Sequence, residues 1–187
     1  KREIYCGYAE ILKHSIIHKK QTFNYLNKNL TKIINLKSPF IEKAIAESCK
    51  IKKNIVEKDE KEKNLRKILN FGHTFGHAYE ASLNYNKKLN HGEAVILGMK
   101  TALSFSLGLK ILKKKDYKLI LNHINNLNLS ISINKFFTKK NLSKILYFMS
   151  KDKKNNSQKI NLVLLKKIGS PQINNEYSKE KLKKFFN

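Results

Sequence analysis

Apolar residues recur at three- and four-residue steps along most of the chain, the spacing that gathers them on one face of a helix. The stretch from Gly7, GYAEILKHSIIHKKQTFNYLNKNL, predicts two helices parted near Lys19 to Thr22. Ser38-Pro39 predicts a helix start, with Ser38 as N-cap and Pro39 in the first turn of a helix reaching roughly Ile51. The run VEKDEKEKNLRKILNFGHTFGHAYEASL reads as a loop followed by one long helix. HGEAVILGMKTALSFSLGL is apolar nearly all round, which predicts a buried helix. KKDYKLILNHINNLN predicts a shorter amphipathic helix, and Thr138 a cap for KKNLSKILYFMS. The period then changes. KINLVLLKKIGSPQINN combines β-branched residues with a Gly-Ser-Pro turn and predicts a small hairpin, after which Ser178 opens a terminal helix. The fold class expected is mainly α, a multi-helical domain over residues 1–187 with a small β-hairpin near the end.

Composition narrows the function classes. Lys plus Arg number 39 against 14 Asp plus Glu, a net charge of +25. Such a balance first suggests nucleic acid or an acidic membrane. The basic residues are almost all Lys and are spread along the chain, with no Arg-rich block and no Cys/His finger spacing, so no specific nucleic-acid partner is expected. No apolar run reaches the length of a membrane span, so no membrane partner is expected either. Cys6 and Cys49 are too few for a disulfide scaffold, which points to a reducing, cytoplasmic setting. The chain opens on KREIYCGYAE without an initiator Met and lacks a glycine-rich phosphate loop, so it reads as the back part of a longer protein.

The candidate chemistry sits in NFGHTFGHAYE, Asn70 to Glu80. If this is one helix, Glu62, Arg66, Asn70, His73 and His77 form a polar stripe, while Ile68, Leu69, Phe71 and Phe75 face elsewhere. Solvated faces in this chain are written in Lys, Glu and Asn, so an Arg-Asn-His-His stripe points to a site. Gly72 and Gly76 each cost about 1 kcal/mol against Ala in a helix, and so imply close approach of a backbone or a ligand. His91 stands at the next predicted helix start with Glu93 in its first turn. A helix N-terminus disfavours imidazolium, which biases His91 toward the neutral, metal-binding form. Glu10 in GYAEILK could add a carboxylate, with Lys13 on the same face. Glu10, His14 and His18 make a rival metal set. The zinc peptidase motif HExxH is absent, because no Glu lies between His73 and His77 to act as base.

GYAEILK, DEKEKNLRKILNFGHTFGHAYE, HGEAVILGM and KDKKNNSQKINLVLLKKIG occur in one order. Together they resemble the C-terminal domain of the 3-dehydroquinate synthases, a branch of the sugar-phosphate cyclases. The resemblance covers nearly the whole chain and implies that an N-terminal NAD-binding α/β domain is absent from it. It further implies a divalent metal, zinc or cobalt, on Glu10, His73 and His91. Lys13 would neighbour the bound substrate. Lys52 and Arg66 would hold the substrate carboxylate. Asn70 and His77 would contact its phosphate, with Lys153 close by and Lys154 the runner-up for that role. Glu62, His77 and Lys13 would be the catalytic groups, Glu62 in proton transfer. Cys6, His14 and Lys19 depart from common family residues without touching these positions.

The implied reaction is NAD-dependent cyclisation of 3-deoxy-D-arabino-heptulosonate 7-phosphate to 3-dehydroquinate with loss of phosphate, a step of the shikimate pathway. Transient oxidation of a ring hydroxyl acidifies the neighbouring proton, and a Lewis acid suits the oxidised hydroxyl. A phosphate and a carboxylate call for several cations. The resemblance implies a homodimer for the full-length enzyme and NAD bound mainly by the absent domain. Two other readings stay open: a sugar-phosphate cyclase acting on a different substrate, and a basic binding module without activity.

Overall fold

A computed structural model describes residues 2–151 and 159–186. Helix α1 spans Arg2–His18 and α2 spans Lys20–Ile34. They part at Lys19, whose extended backbone turns the chain, as the pattern predicts. Helix α3 covers Phe40–Lys58, longer than expected. Ser38 does not cap it: Pro39 holds the N-cap position, and the first N–H groups, of Phe40 and Ile41, donate to the Lys37 carbonyl at 3.0 and 3.2 Å.

The single long helix expected next does not form. The Asp59 carboxylate gathers the N–H groups of Lys63, Asn64 and Arg66 at 2.8–2.9 Å and winds the chain into a 3₁₀ turn, Leu65–Asn70. Gly72 then adopts φ +80°, a left-handed conformation that few other residues take, and breaks the path. Helix α4, His73–Ser82, begins only after it. Glu62, Arg66 and Asn70 therefore do not share a helical stripe with His73 and His77.

Helix α5, His91–Gly108, runs through the middle of the molecule, packed by α1, α4, α6 (Lys114–Asn125) and the hairpin. Its sequence is apolar on every side, and the residues from Gly92 to Met99 are all buried. Phe71, Phe75 and Tyr79 fill the space beside it, each burial contributing roughly 1.5–3 kcal/mol. Helix α7 is Ile133–Phe136 and α8 is Leu142–Lys151. Thr138, the expected cap, opens a short 3₁₀ segment ahead of α8, its N–H donating to Asn141 Oδ1 at 2.8 Å. Strands β1, Ile160–Lys167, and β2, Ser170–Tyr177, form the antiparallel hairpin, and α9, Lys179–Phe186, follows Ser178. Ser106 of α5 accepts the Leu165 N–H and ties the hairpin to the central helix. Among the described residues no helix is long and apolar enough to cross a membrane.

Candidate metal centre

Three elements meet at one point. Glu10 lies midway along α1, His73 is the first residue of α4, and His91 is the first of α5. The convergence depends on close backbone approach. A Cβ on Gly92 would lie 2.2 Å from the Cys6 Cα, so α1 and the start of α5 touch main chain to main chain. Arg2 fastens the same corner: its guanidinium grips the Glu93 carboxylate and donates to the Lys87 carbonyl at 3.0 Å. Glu93 also closes a capping box with Asn90, which fixes where α5 begins and hence where His91 stands. Gly76 meets the Ala94 carbonyl in the same manner on the α4 side, as its lack of a side chain implied.

Glu10 Oε1 stands 3.4 Å from His73 Nε2, and Glu10 Oε2 accepts from Lys13 Nζ at 2.8 Å. The rings of His73 and His91 are 5.7 Å apart, and those of His73 and His77 5.2 Å. One donor atom from each of Glu10, His73 and His91 lies within 4.8 Å of the others. Glu10 Oε1 is buried and has no hydrogen-bond partner, an expensive state for a carboxylate oxygen. Burial would raise the Glu10 carboxyl, but neighbouring His73 and Lys13 outweigh it and hold it well below the usual carboxylate range. A half-buried, ionised carboxylate with one buried, idle oxygen beside two imidazoles fits a divalent cation. One carboxylate and two histidines is also the donor set of catalytic zinc sites with open positions.

Lys13 is buried, and burial lowers its ammonium pKa against the opposing pull of Glu10, with Lys52 adding to the depression. Lys52 lines the groove that Glu10 and His14 also line, about 420 Å³ between α1, α2 and α3. Asn70 donates to Glu62 Oε1 at 2.9 Å, so these two predicted site residues pair with each other. Arg66 donates to the Glu60 carbonyl at 2.7 Å and secures its own loop. Lys153 and its runner-up Lys154 lie outside the described residues.

Two expectations fail. The rival set of Glu10, His14 and His18 is not assembled: His14 Nδ1 bonds Ser48 Oγ at 2.7 Å, its Nε2 stays 3.9 Å from Glu10, and His18 is exposed at the end of α1. Nor is His91 biased toward neutrality. Its Nδ1 meets Glu80 Oε2 at 3.1 Å, and that hydrogen bond raises its pKa against the opposing effects of burial and Lys13. Glu80 is not among the sequence-predicted site residues, although it follows His77 by three residues on the same helix face. A second grouping, His77, Glu80 and His91, shares His91 with the first.

A helical domain with a terminal hairpin and a carboxylate–histidine cluster defines a narrow class. The family model for the 3-dehydroquinate synthase C-terminal domain matches residues 7–155, and the chain belongs to that family. It is 62% identical to the 3-dehydroquinate synthase of Pelagibacter ubique over 185 residues, 99% of this chain and 50% of that protein. The Thermoanaerobacter pseudethanolicus enzyme of the same name is 39% identical over 183 residues, 98% of this chain and 50% of the relative. The chain thus spans about half the length of the curated relatives it matches. In fold it is similar to a 2-epi-5-epi-valiolone synthase from Streptomyces hygroscopicus solved with NAD+ and Zn2+, at TM-score 0.82 and 19% identity, covering 99% of this chain and 50% of that one. A 2-deoxy-scyllo-inosose synthase solved with carbaglucose-6-phosphate, NAD+ and Co2+ gives TM-score 0.76 at 23% identity, covering 98% and 51%.

Proposed function

We propose that residues 1–187 act as the metal- and substrate-holding domain of a 3-dehydroquinate synthase. The enzyme cyclises 3-deoxy-D-arabino-heptulosonate 7-phosphate to 3-dehydroquinate with release of phosphate. The observation that carries the reading is the convergence of Glu10, His73 and His91 beside the buried Lys13. Family membership and the 62%-identical relative support it.

Glu10, His73 and His91 would hold a zinc or cobalt ion, which when bound would supply a Lewis acid to a substrate oxygen. The chain's own residues bind and orient the substrate. Lys13, next to Glu10, offers an ammonium whose proton is loosened by burial, suited to a substrate oxygen bound beside Glu10. Lys52 lines the groove beside Glu10, and it takes the substrate carboxylate together with Arg66. Arg66 exchanges its Glu60 carbonyl contact for that bidentate pair. Glu62 holds the Asn70 amide by its NH₂ group, which orients Asn70 toward the phosphate, and Glu62 serves in proton transfer. His77 follows His73 by one helical turn and, with Lys153, receives the phosphate. NAD belongs mainly to the other half of the enzyme, which works in the cytoplasm as a homodimer on a small-molecule substrate.

The test joins this chain to the N-terminal half of the Pelagibacter relative and supplies zinc, NAD and 3-deoxy-D-arabino-heptulosonate 7-phosphate. Phosphate release with formation of 3-dehydroquinate is expected. A folded, zinc-loaded chimera with no turnover on this substrate overturns the assignment.

A further inference from the structure

We propose that Glu80 is a positioning residue that fixes the tautomer and orientation of His91, so that His91 presents Nε2 to a metal ion. The inference rests on the metal reading above and deepens it. Glu80 belongs to α4, two turns beyond His73, and crosses to the first residue of α5. Its Oε2 lies 3.1 Å from His91 Nδ1. The Glu80 side chain is 12% exposed and that of His91 45% exposed, so the carboxylate sits beneath the ring.

An ionised carboxylate only accepts hydrogen bonds, so Nδ1 must carry the proton in this contact. The lone pair of the neutral ring is then on Nε2. A carboxylate behind a ligating imidazole restricts ring rotation and makes the free nitrogen a better donor. Here one helix supplies both a ligand, His73, and the orienting group of a second ligand, His91. The placement of both histidines therefore depends on how α4 packs against α5.

A different use of the same atoms is an ion held by His77, Glu80 and His91, whose donor atoms also lie within 4.8 Å of one another. The geometry favours positioning. In that grouping Glu80 gives up its hydrogen bond to His91, and two of the three ligands are exposed, whereas Glu10 has a buried oxygen with no hydrogen bond.

Cobalt titration of the chain, followed by absorption, tests the proposal against Glu80→Ala, Glu80→Gln and His91→Ala. Glu80→Ala is expected to weaken cobalt affinity by about 10–100-fold. Its saturated absorption bands are expected to match the wild type, because the donor set is unchanged. Glu80→Gln retains an oxygen acceptor and is expected to recover most of the affinity. Nitrogen-15 NMR of the metal-free chain at alkaline pH is expected to find His91 with its proton on Nδ1, and Glu80→Ala to mix the tautomers. Unaltered affinity in Glu80→Ala overturns the inference. So does a cobalt loss as complete as in His91→Ala with shifted bands, which would make Glu80 a ligand. Should Glu80→Ala fail to fold, an Nδ1 proton absent from wild-type His91 is sufficient to overturn it. A wild-type chain that binds no cobalt overturns the metal reading and this inference with it, a result distinct from all of the above.

Discussion

Gly98 and Gly72 meet where α5 crosses the entry to α4: a Cβ on Gly98 would stand 2.1 Å from the Gly72 carbonyl oxygen. That carbonyl accepts the Gly76 N–H at 2.9 Å and so closes the first turn of α4. Gly98→Ala is expected to lower stability by about 1–3 kcal/mol through overpacking. It is also expected to weaken cobalt binding, since the displaced turn carries His73. Thermal unfolding and a cobalt titration check both effects, and a variant unchanged in each would mean that the crossing yields without cost.

Removal of one ligand is expected to empty the metal site. The purified chain should carry one divalent ion, and Glu10→Ala should carry almost none, by elemental analysis after dialysis. Equal metal in the two proteins would sink the assignment of Glu10.

His73 and His77 are expected to divide their labour. In a full-length enzyme His73→Ala should lose both metal and turnover. His77→Ala should keep the metal and turn over slowly, with the deficit largest in phosphate release. Loss of metal in His77→Ala would instead point to the grouping that contains His77, Glu80 and His91.

The sequence made some of this plain and hid the rest for physical reasons. The break at Lys19, the hairpin and the terminal helix after Ser178 rest on local chemistry, so neighbouring residues announce them. The capping box of Asn90 and Glu93 is equally readable in NHGE. The kink at Gly72 was not. In the sequence Gly72 fits a helical run, and what demands a glycine there is distant: an added Cβ would collide with Met99 of α5. His91 departs from expectation for a similar reason, because its charge answers to Glu80 across the α4–α5 contact.

Acid is expected to destabilise the fold through His123. Its ring is fully buried, bonded to Tyr8 Oη at 2.7 Å and Asn27 Oδ1 at 2.9 Å, with Phe23 alongside, and burial alone lowers its pKa to about 4. A folded value below the unfolded one means that the unfolded chain binds the extra proton. The stabilisation is therefore complete above about 6.5 and fades as pH falls toward 4, by roughly 3 kcal/mol in all. Denaturant unfolding across this window should give a shallower pH slope for His123→Gln than for the wild type. Identical slopes would remove His123 from the account.

Binding of NAD by this chain alone is expected to be weak. No strand–glycine–helix unit of the dinucleotide-binding kind occurs among the described residues. Calorimetry should detect no micromolar NAD site, and finding one would relocate the cofactor to this half.

Glu10, His73 and His91 come from three separate helices, α1, α4 and α5, which are far apart in the chain and meet only in the folded core. No local fragment can assemble the trio, so an ion bound there recognises the native state and ignores the unfolded chain. Such selective binding is thermodynamically linked to folding, adding about 2.7 kcal/mol of stability at a free-ion concentration one hundred times the dissociation constant. The melting temperature thus becomes a gauge of metal supply, and a cell short of the ion holds this domain nearer to its unfolding threshold.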